Sequence, residues 1–129
     1  MKVTQVSVFL DNRPGRLADM TEILGREHIN ICALYVADTT DYGILRMIVD
    51  EPDRAKQVLK DAGFTAKRTE VLAVQMSDIP GGLHEIVKKL SENNVSLEYV
   101  YAYTGRGDDE KASVVLKVDD PDKAEQVLG

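Results

Sequence analysis

Two short stretches of this chain have the residue types to hold a small zwitterion. Asn12-Arg13-Pro14-Gly15-Arg16-Leu17 and Asp78-Ile79-Pro80-Gly81-Gly82-Leu83 each set a Pro-Gly pair just ahead of an apolar helical pattern, and Pro14 and Pro80 lie 66 positions apart. A helix start presents unpaired N–H groups and a partial positive charge, which suits a carboxylate. Glycine at 15, 81 and 82 lets a ligand approach the backbone closely. Asn12 or Asp78 offers an oxygen that accepts from an ammonium group. The same oxygens serve equally to close a turn and cap a helix, and loop spacing alone leaves both readings standing. Loop one carries Arg13 and Arg16 where loop two carries Ile79 and Gly82. Loop one is therefore expected to tolerate an anionic ligand group better; two solvated arginines are the plainer alternative.

Other chemistry is thinly represented. His28 stands at the end of the first helical pattern, where a cation meets the helix dipole favourably, but a solvated cap is the preferred reading. His84 follows the second Pro-Gly loop and could face a ligand, but reads more simply as a solvated helix residue. Cys32, inside an apolar strand, reads as a small core residue. No Cys/His cluster has metal-ligand spacing, and no nucleophile elbow, Walker loop or dinucleotide fingerprint occurs. Gly105-Arg106-Gly107 is too short and too acidic in its surroundings to cradle a phosphate. Tyr99, Tyr101 and Tyr103 alternate on one strand face, as base-stacking aromatics do, but no Arg or Lys interleaves them. No acid, base or nucleophile cluster emerges, so the expectation is a non-enzymatic protein without cofactor or metal.

The whole-chain properties agree. The net charge of −6 and pI of about 4.9 argue against nucleic-acid or anionic-membrane partners, which need a clustered positive patch. No apolar run is long enough to span a bilayer. Met1-Lys2-Val3 leads straight into a strand pattern, so no signal peptide is expected. A single cysteine cannot form an internal disulfide, and a reducing cytoplasm is the simplest location.

The elements that must position the loops occur twice in the same order. In residues 3–10, Val6, Val8 and Leu10 alternate with Ser7 and Phe9, a strand with one face inward. Leu17, Met20, Ile23 and Leu24 then recur at helical spacing, predicting a helix from Pro14 to Glu27, with Pro14 in its first turn. Ile29–Ala37 is a strand apolar on both faces, which predicts that both faces, or its edge, are covered. A turn at Asp38–Gly43 leads to a strand at Ile44–Val49 with Leu45, Met47 and Val49 on one face. Pro52 opens a helix bearing Ala55, Val58, Leu59 and Ala62, Gly63 sits where a C-cap belongs, and Phe64–Arg68 is a short strand. The second copy reads Val71–Met76 strand, a helix marked by Leu83, Ile86, Val87 and Leu90, Val95–Tyr103 strand, a charged and mobile turn at Thr104–Lys111, Ala112–Val118 strand and Pro121–Leu128 helix. Each copy is β-α-β-β-α-β, which predicts an α+β fold of two ferredoxin-like repeats, 1–69 and 70–129, each an antiparallel sheet with its helices on one face. The second copy stops before its last strand, which would bare an edge of Val71–Met76. A longer natural chain, the linker Thr65–Glu70 or another subunit could each supply the cover.

At the two loops the chain resembles the ACT domain family, regulatory modules that bind amino acids. The family's motif, Asn/Asp-x-Pro-Gly-x-Leu between first strand and first helix, is matched in full by Asn12–Leu17 and in its acidic form by Asp78–Leu83. Glu27-His28-Ile29-Asn30-Ile31 and Asn93-Asn94-Val95-Ser96-Leu97 are similar to its passage from helix to strand. The resemblance spans nearly the whole chain and looks like the free-standing tandem ACT proteins. It implies repeats packed side by side into one extended antiparallel sheet, often through their second strands, and a ligand at the junction between one unit's Pro-Gly loop and the other's second strand. Carried onto this chain, the walls are Ile31–Val36 and Leu97–Ala102, in particular Ile31, Cys32, Ala33 and Leu34, and Leu97, Glu98, Tyr99 and Val100. The implied function is free amino acid binding and regulation, in a homodimer. The alternative is a regulatory subunit controlling a separate metabolic enzyme.

Overall fold

In a computed structural model the described residues are 2–11, 13–38, 42–104 and 111–129, without the side chains of Asp38, Tyr42 and Thr104. Asn12 and the centres of the turns expected at 38–43 and 104–111 lie outside them. The elements run β1 (Lys2–Asp11), α1 (Arg16–Arg26), β2 (Ile31–Asp38), β3 (Tyr42–Val49), α2 (Pro52–Asp61), β4 (Thr65–Ser77), α3 (Gly82–Glu92), β5 (Leu97–Thr104), β6 (Lys111–Val118) and α4 (Pro121–Leu128). The architecture is α+β, with repeated ferredoxin-like order. The chain divides into two compact units, Thr4–Thr69 and Met1–Val3 with Glu70–Gly129.

In the first unit the strand order is β2-β3-β1-β4. β1 and β3 pair antiparallel with Val6 opposite Met47 and Val8 opposite Leu45, all four fully buried. Onto that face α1 sets Met20 and Leu24 and α2 sets Ala55 and Leu59. These helical residues recur at three and four positions, so they share one stripe and are buried together. Gln5 and Ser7, on the other face of β1, are also buried. The expectation of one inward face is thus corrected: β1 lies between β3 and β4, and a central strand shields short polar side chains that an edge would leave wet.

In the second unit β4 pairs with β6 and β6 with β5, all antiparallel. Leu72, Val74, Val114 and Leu116 form the core with Leu90 of α3 and Ala124 of α4. The start of β1 is grouped with this unit, and the Lys2 ammonium donates to the Asp122 carboxylate in the first turn of α4. The strands expected at Phe64–Arg68 and Val71–Met76, with the linker between them, form one uninterrupted strand of 13 residues. Nothing in Thr65–Ser77 breaks a strand, since it holds no proline or glycine.

Three helices end in the same way. After α2, Gly63 at φ 93° donates to Lys60 O (3.0 Å), and Phe64 N–H to Leu59 O (2.9 Å). After α1 the left-handed residue is His28 (φ 59°), and after α3 it is Asn94 (φ 58°), with matching bonds from Ile29 to Leu24 O and from Val95 to Leu90 O, both 2.9 Å. This is the Schellman arrangement, which satisfies orphan carbonyls of the last turn. His28 is therefore part of a backbone reversal and not merely a solvated cap.

Three readings of side-chain environment are corrected. Cys32 is exposed rather than part of the core, because β2 is the edge strand of its unit and its register slips between Ile31 and Ala33. Of the two covers expected for β2, its own unit does not supply the first, cover on both faces: Leu34 and Val36, opposite the core residues Met47 and Leu45, remain 46% and 45% exposed, which leaves cover of its edge as the standing alternative. Leu17 and Leu83, read as members of the buried helical stripes, are exposed. They stand in the first helical turn, and Met20, one turn further on, is the first α1 residue to be fully covered.

Candidate functional site

Both Pro-Gly loops join a strand to a helix through a left-handed glycine. Gly15 and Gly81 each have φ 91° and precede the first helical residue. Only glycine adopts that region without cost. It also corrects the expected start of α1: Pro14 stands outside the helix, because the left-handed Gly15 separates it from Arg16. The helices close their first turns with Asp19 N–H donating to Gly15 O (2.8 Å) and Glu85 N–H to Gly81 O (3.1 Å).

Loop one is built around a carboxylate. Asp11, the last residue of β1, accepts from Arg13 Nε at Oδ2 and from Arg16 Nε at Oδ1, the latter at 2.9 Å. The Arg13 guanidinium holds the Asp11 carboxyl below its usual range; Arg16 adds to this, and partial desolvation opposes it. The Arg16 guanidinium also lies over the Phe64 ring, 4.2 Å from its centroid, a cation–π contact. Beside these groups is a cleft of about 380 Å³, lined by Leu10, Asp11, Arg13, Pro14, Arg16, Leu17, Val36 and Gly43. That volume falls within the roughly 300–1,000 Å³ of small-molecule sites. Val36 reaches the cleft because Gly43 pairs with Leu10 on one side and with Asp38 on the other.

Loop two has the same length and a different interior. Gly82 N–H donates to Ile79 O (3.0 Å). The Ser77 carbonyl lies so close to Gly82 that a Cβ there would stand 2.0 Å from the oxygen. Its cleft, also about 380 Å³, is lined by Gln75, Met76, Ser77, Ile79, Pro80, Gly81, Gly82, Glu85 and Ile86.

The first cleft thus gathers Arg13, Pro14, Arg16 and Leu17, with Gly15 forming the turn beside it; Asn12 lies outside the described residues. Ile31, Cys32, Ala33 and Leu34 do not line it. The second cleft gathers Ile79, Pro80, Gly81 and Gly82. Asp78, Leu83 and His84 are exposed and do not line it, and neither do Leu97, Glu98, Tyr99 and Val100. Glu98 pairs instead with Lys117 (3.1 Å), and Leu97 borders a groove along α3 with Val87 and Ser91. Sequence reasoning passed over Asp11, whose signal was its place two and five residues ahead of two arginines, and over Glu85, which only the folded chain brings to its loop; Val36, the last residue of the wall that the family resemblance implies, lines the first cleft. Among the described residues no group of three or more His, Cys, Asp or Glu is placed to hold a metal ion. No helix among them is long and apolar enough to cross a membrane.

A family model described as an ACT domain pair matches residues 1–128. A crystal structure of a Bacteroides thetaiotaomicron protein shares 39% identity with a TM-score of 0.92, covering 99% of this chain and 87% of that one. The ligand-free regulatory subunit of aspartate kinase from Thermus thermophilus has a TM-score of 0.71 at 13% identity, over 97% of this chain and 87% of that one. Its counterpart from Thermus flavus gives 0.67 at 14% identity, over 99% and 91%. At that identity the likeness is one of fold. No curated protein sequence matches.

Proposed function

The chain belongs to the family of paired ACT domains, a regulatory family, and from that premise we propose that it is a non-enzymatic protein of the cytoplasm that binds a free amino acid at a Pro-Gly loop. The observation that carries this reading is the loop-one cleft. It sets two arginines and a helix start beside an apolar wall of Leu10, Leu17 and Val36, a mixture suited to a molecule with a carboxylate at one end and an apolar stem at the other. Regulation then follows by linkage: a ligand shifts an assembly or a partner's state only through its differential affinity for the two forms.

The reading is tested by thermal unfolding of the purified chain with each standard amino acid in turn. A ligand at a hundred times its Kd adds about 2.7 kcal/mol of stability, a visible shift for a chain of 14.3 kDa. A selective shift, abolished by Asn12→Ala, supports the reading. No shift with any amino acid overturns it.

A second reading is favoured by the exposed apolar residues. Leu34 and Val36 on β2, and Val100 on β5, lie on the helix-bearing faces at edge strands. Such strips suit a protein partner, either a second copy or a metabolic enzyme that the chain regulates. Retention of this chain by a candidate enzyme, with no amino acid response, would move the assignment to this reading.

A further inference from the structure

The two loops share a length and a glycine turn, but they differ in what stands at the helix start. We infer that the chain takes one ligand, at loop one, where Arg16 selects its carboxylate, and that loop two is a closed structural turn. The inference rests on the ligand reading above.

Gly82 occupies the repeat position of Arg16. At loop two the Ser77 carbonyl packs onto the Gly82 backbone, leaving no room for a Cβ. A side chain capable of recognising a ligand therefore cannot stand there, and a carbonyl oxygen, itself partly negative, lies beside the first residue of α3. The cleft next to it is lined by Glu85 and by no Arg or Lys. A carboxylate arriving at loop two meets like charge from the carbonyl and from Glu85.

Loop one differs at the helix start: Arg13 and Arg16 line its cleft, and the carboxylate that also lines it, Asp11, is engaged by both. Arg16 is held from behind by two contacts, its Nε on Asp11 and its guanidinium face on Phe64. Its terminal Nη groups have no partner among the described residues, and the side chain lines the cleft. A guanidinium fixed in this way presents a planar fork to the cleft, which matches a carboxylate in two parallel hydrogen bonds. Because the fork is already oriented, little side-chain entropy is lost when it binds. Asp11 acts here as a positioning residue, and Arg16 touches the ligand.

The test is a two-dimensional amide NMR titration of the full chain with each standard free amino acid, read at Arg16, Leu17 and Ala18 and at Gly82, Leu83 and His84, with calorimetry for stoichiometry. The inference expects shifts at loop one alone and one ligand per chain. Arg16→Gln should weaken binding by about tenfold or more, the worth of a charged hydrogen bond, with the amide spectrum elsewhere unchanged. Arg16→Lys should recover only part of the loss, and Glu85→Gln should leave affinity unchanged. Shifts at loop two, or two ligands per chain, would overturn the inference and leave the ligand reading intact. The absence of shifts at both loops would overturn the ligand reading, and the inference with it.

Discussion

His28 and Asn94 occupy the same place after two helices, and each holds a left-handed backbone that a third helix gives to Gly63. A residue with a Cβ is strained there, by roughly 1 kcal/mol for most types and less for Asn. His28→Gly should therefore raise stability by about 0.5–1 kcal/mol, and Asn94→Gly by a smaller amount, both read from urea unfolding midpoints. A lower midpoint for His28→Gly would mean that its side chain contributes more than its backbone costs. Gly63 was legible as a helix end because glycine announces itself; His28 was not, since only the register of the last turn decides which residue must reverse. Asp11 carries a prediction of the same scale. Its carboxyl is held low, first by Arg13, so its contribution to stability is fully present above the usual carboxylate range and is lost as pH falls through its lowered value. A carbon-detected pH titration should place its midpoint below the usual ~3.9 and move it upward in Arg13→Ala. A midpoint at or above the usual value would remove the ion pair from the account.

At the scale of elements, the repeated Pro-Gly loops, the helical stripes and the alternating strands were legible because each rests on periodicity within a dozen residues. What escaped the sequence depends on contacts made at a distance. Gly82 reads as an opening for a ligand, yet its reason is the Ser77 carbonyl packed against it. Cys32 reads as core because its neighbours are apolar, yet it sits at a register slip on an edge strand. Two glycines separate these cases by sign. Gly25 lies inside α1, and a Cβ there meets nothing within 4 Å, so Gly25→Ala should stabilise by up to about 1 kcal/mol through helix propensity. Gly82→Ala forces a Cβ to 2.0 Å from a backbone oxygen and should cost on the order of 1–3 kcal/mol, as overpacking does. Thermal unfolding of the pair decides the matter: equal effects would mean that the loop-two turn relaxes freely. Cys32, being exposed, should react with an aromatic disulfide reagent in the native protein without denaturant.

At the scale of the whole molecule, the large hydrophobic residues left exposed are not scattered. Among the described residues they are Leu17, Leu34, Val36, Ile79, Leu83 and Val100. Leu17 and Leu83 are repeat equivalents, 66 positions apart like the prolines, and so are Leu34 and Val100. The same two positions thus stay wet in both units, and Leu34 and Val100 stand on the edge strands β2 and β5. Single exposed leucines need no explanation, but a matched pair in each repeat, next to unpaired strand edges, is a surface that soluble proteins ordinarily cover. A second copy of the chain is the simplest cover, since it brings the same strips and a self-complementary edge. Light scattering should therefore give twice the 14.3 kDa chain mass, and Leu34→Asp with Val100→Asp should return the monomer with unchanged circular dichroism, because both side chains lie outside the two cores. If the wild-type chain is already monomeric, the strips belong to a different partner and the homodimer is withdrawn. If the double variant remains dimeric, the contact lies elsewhere on the molecule.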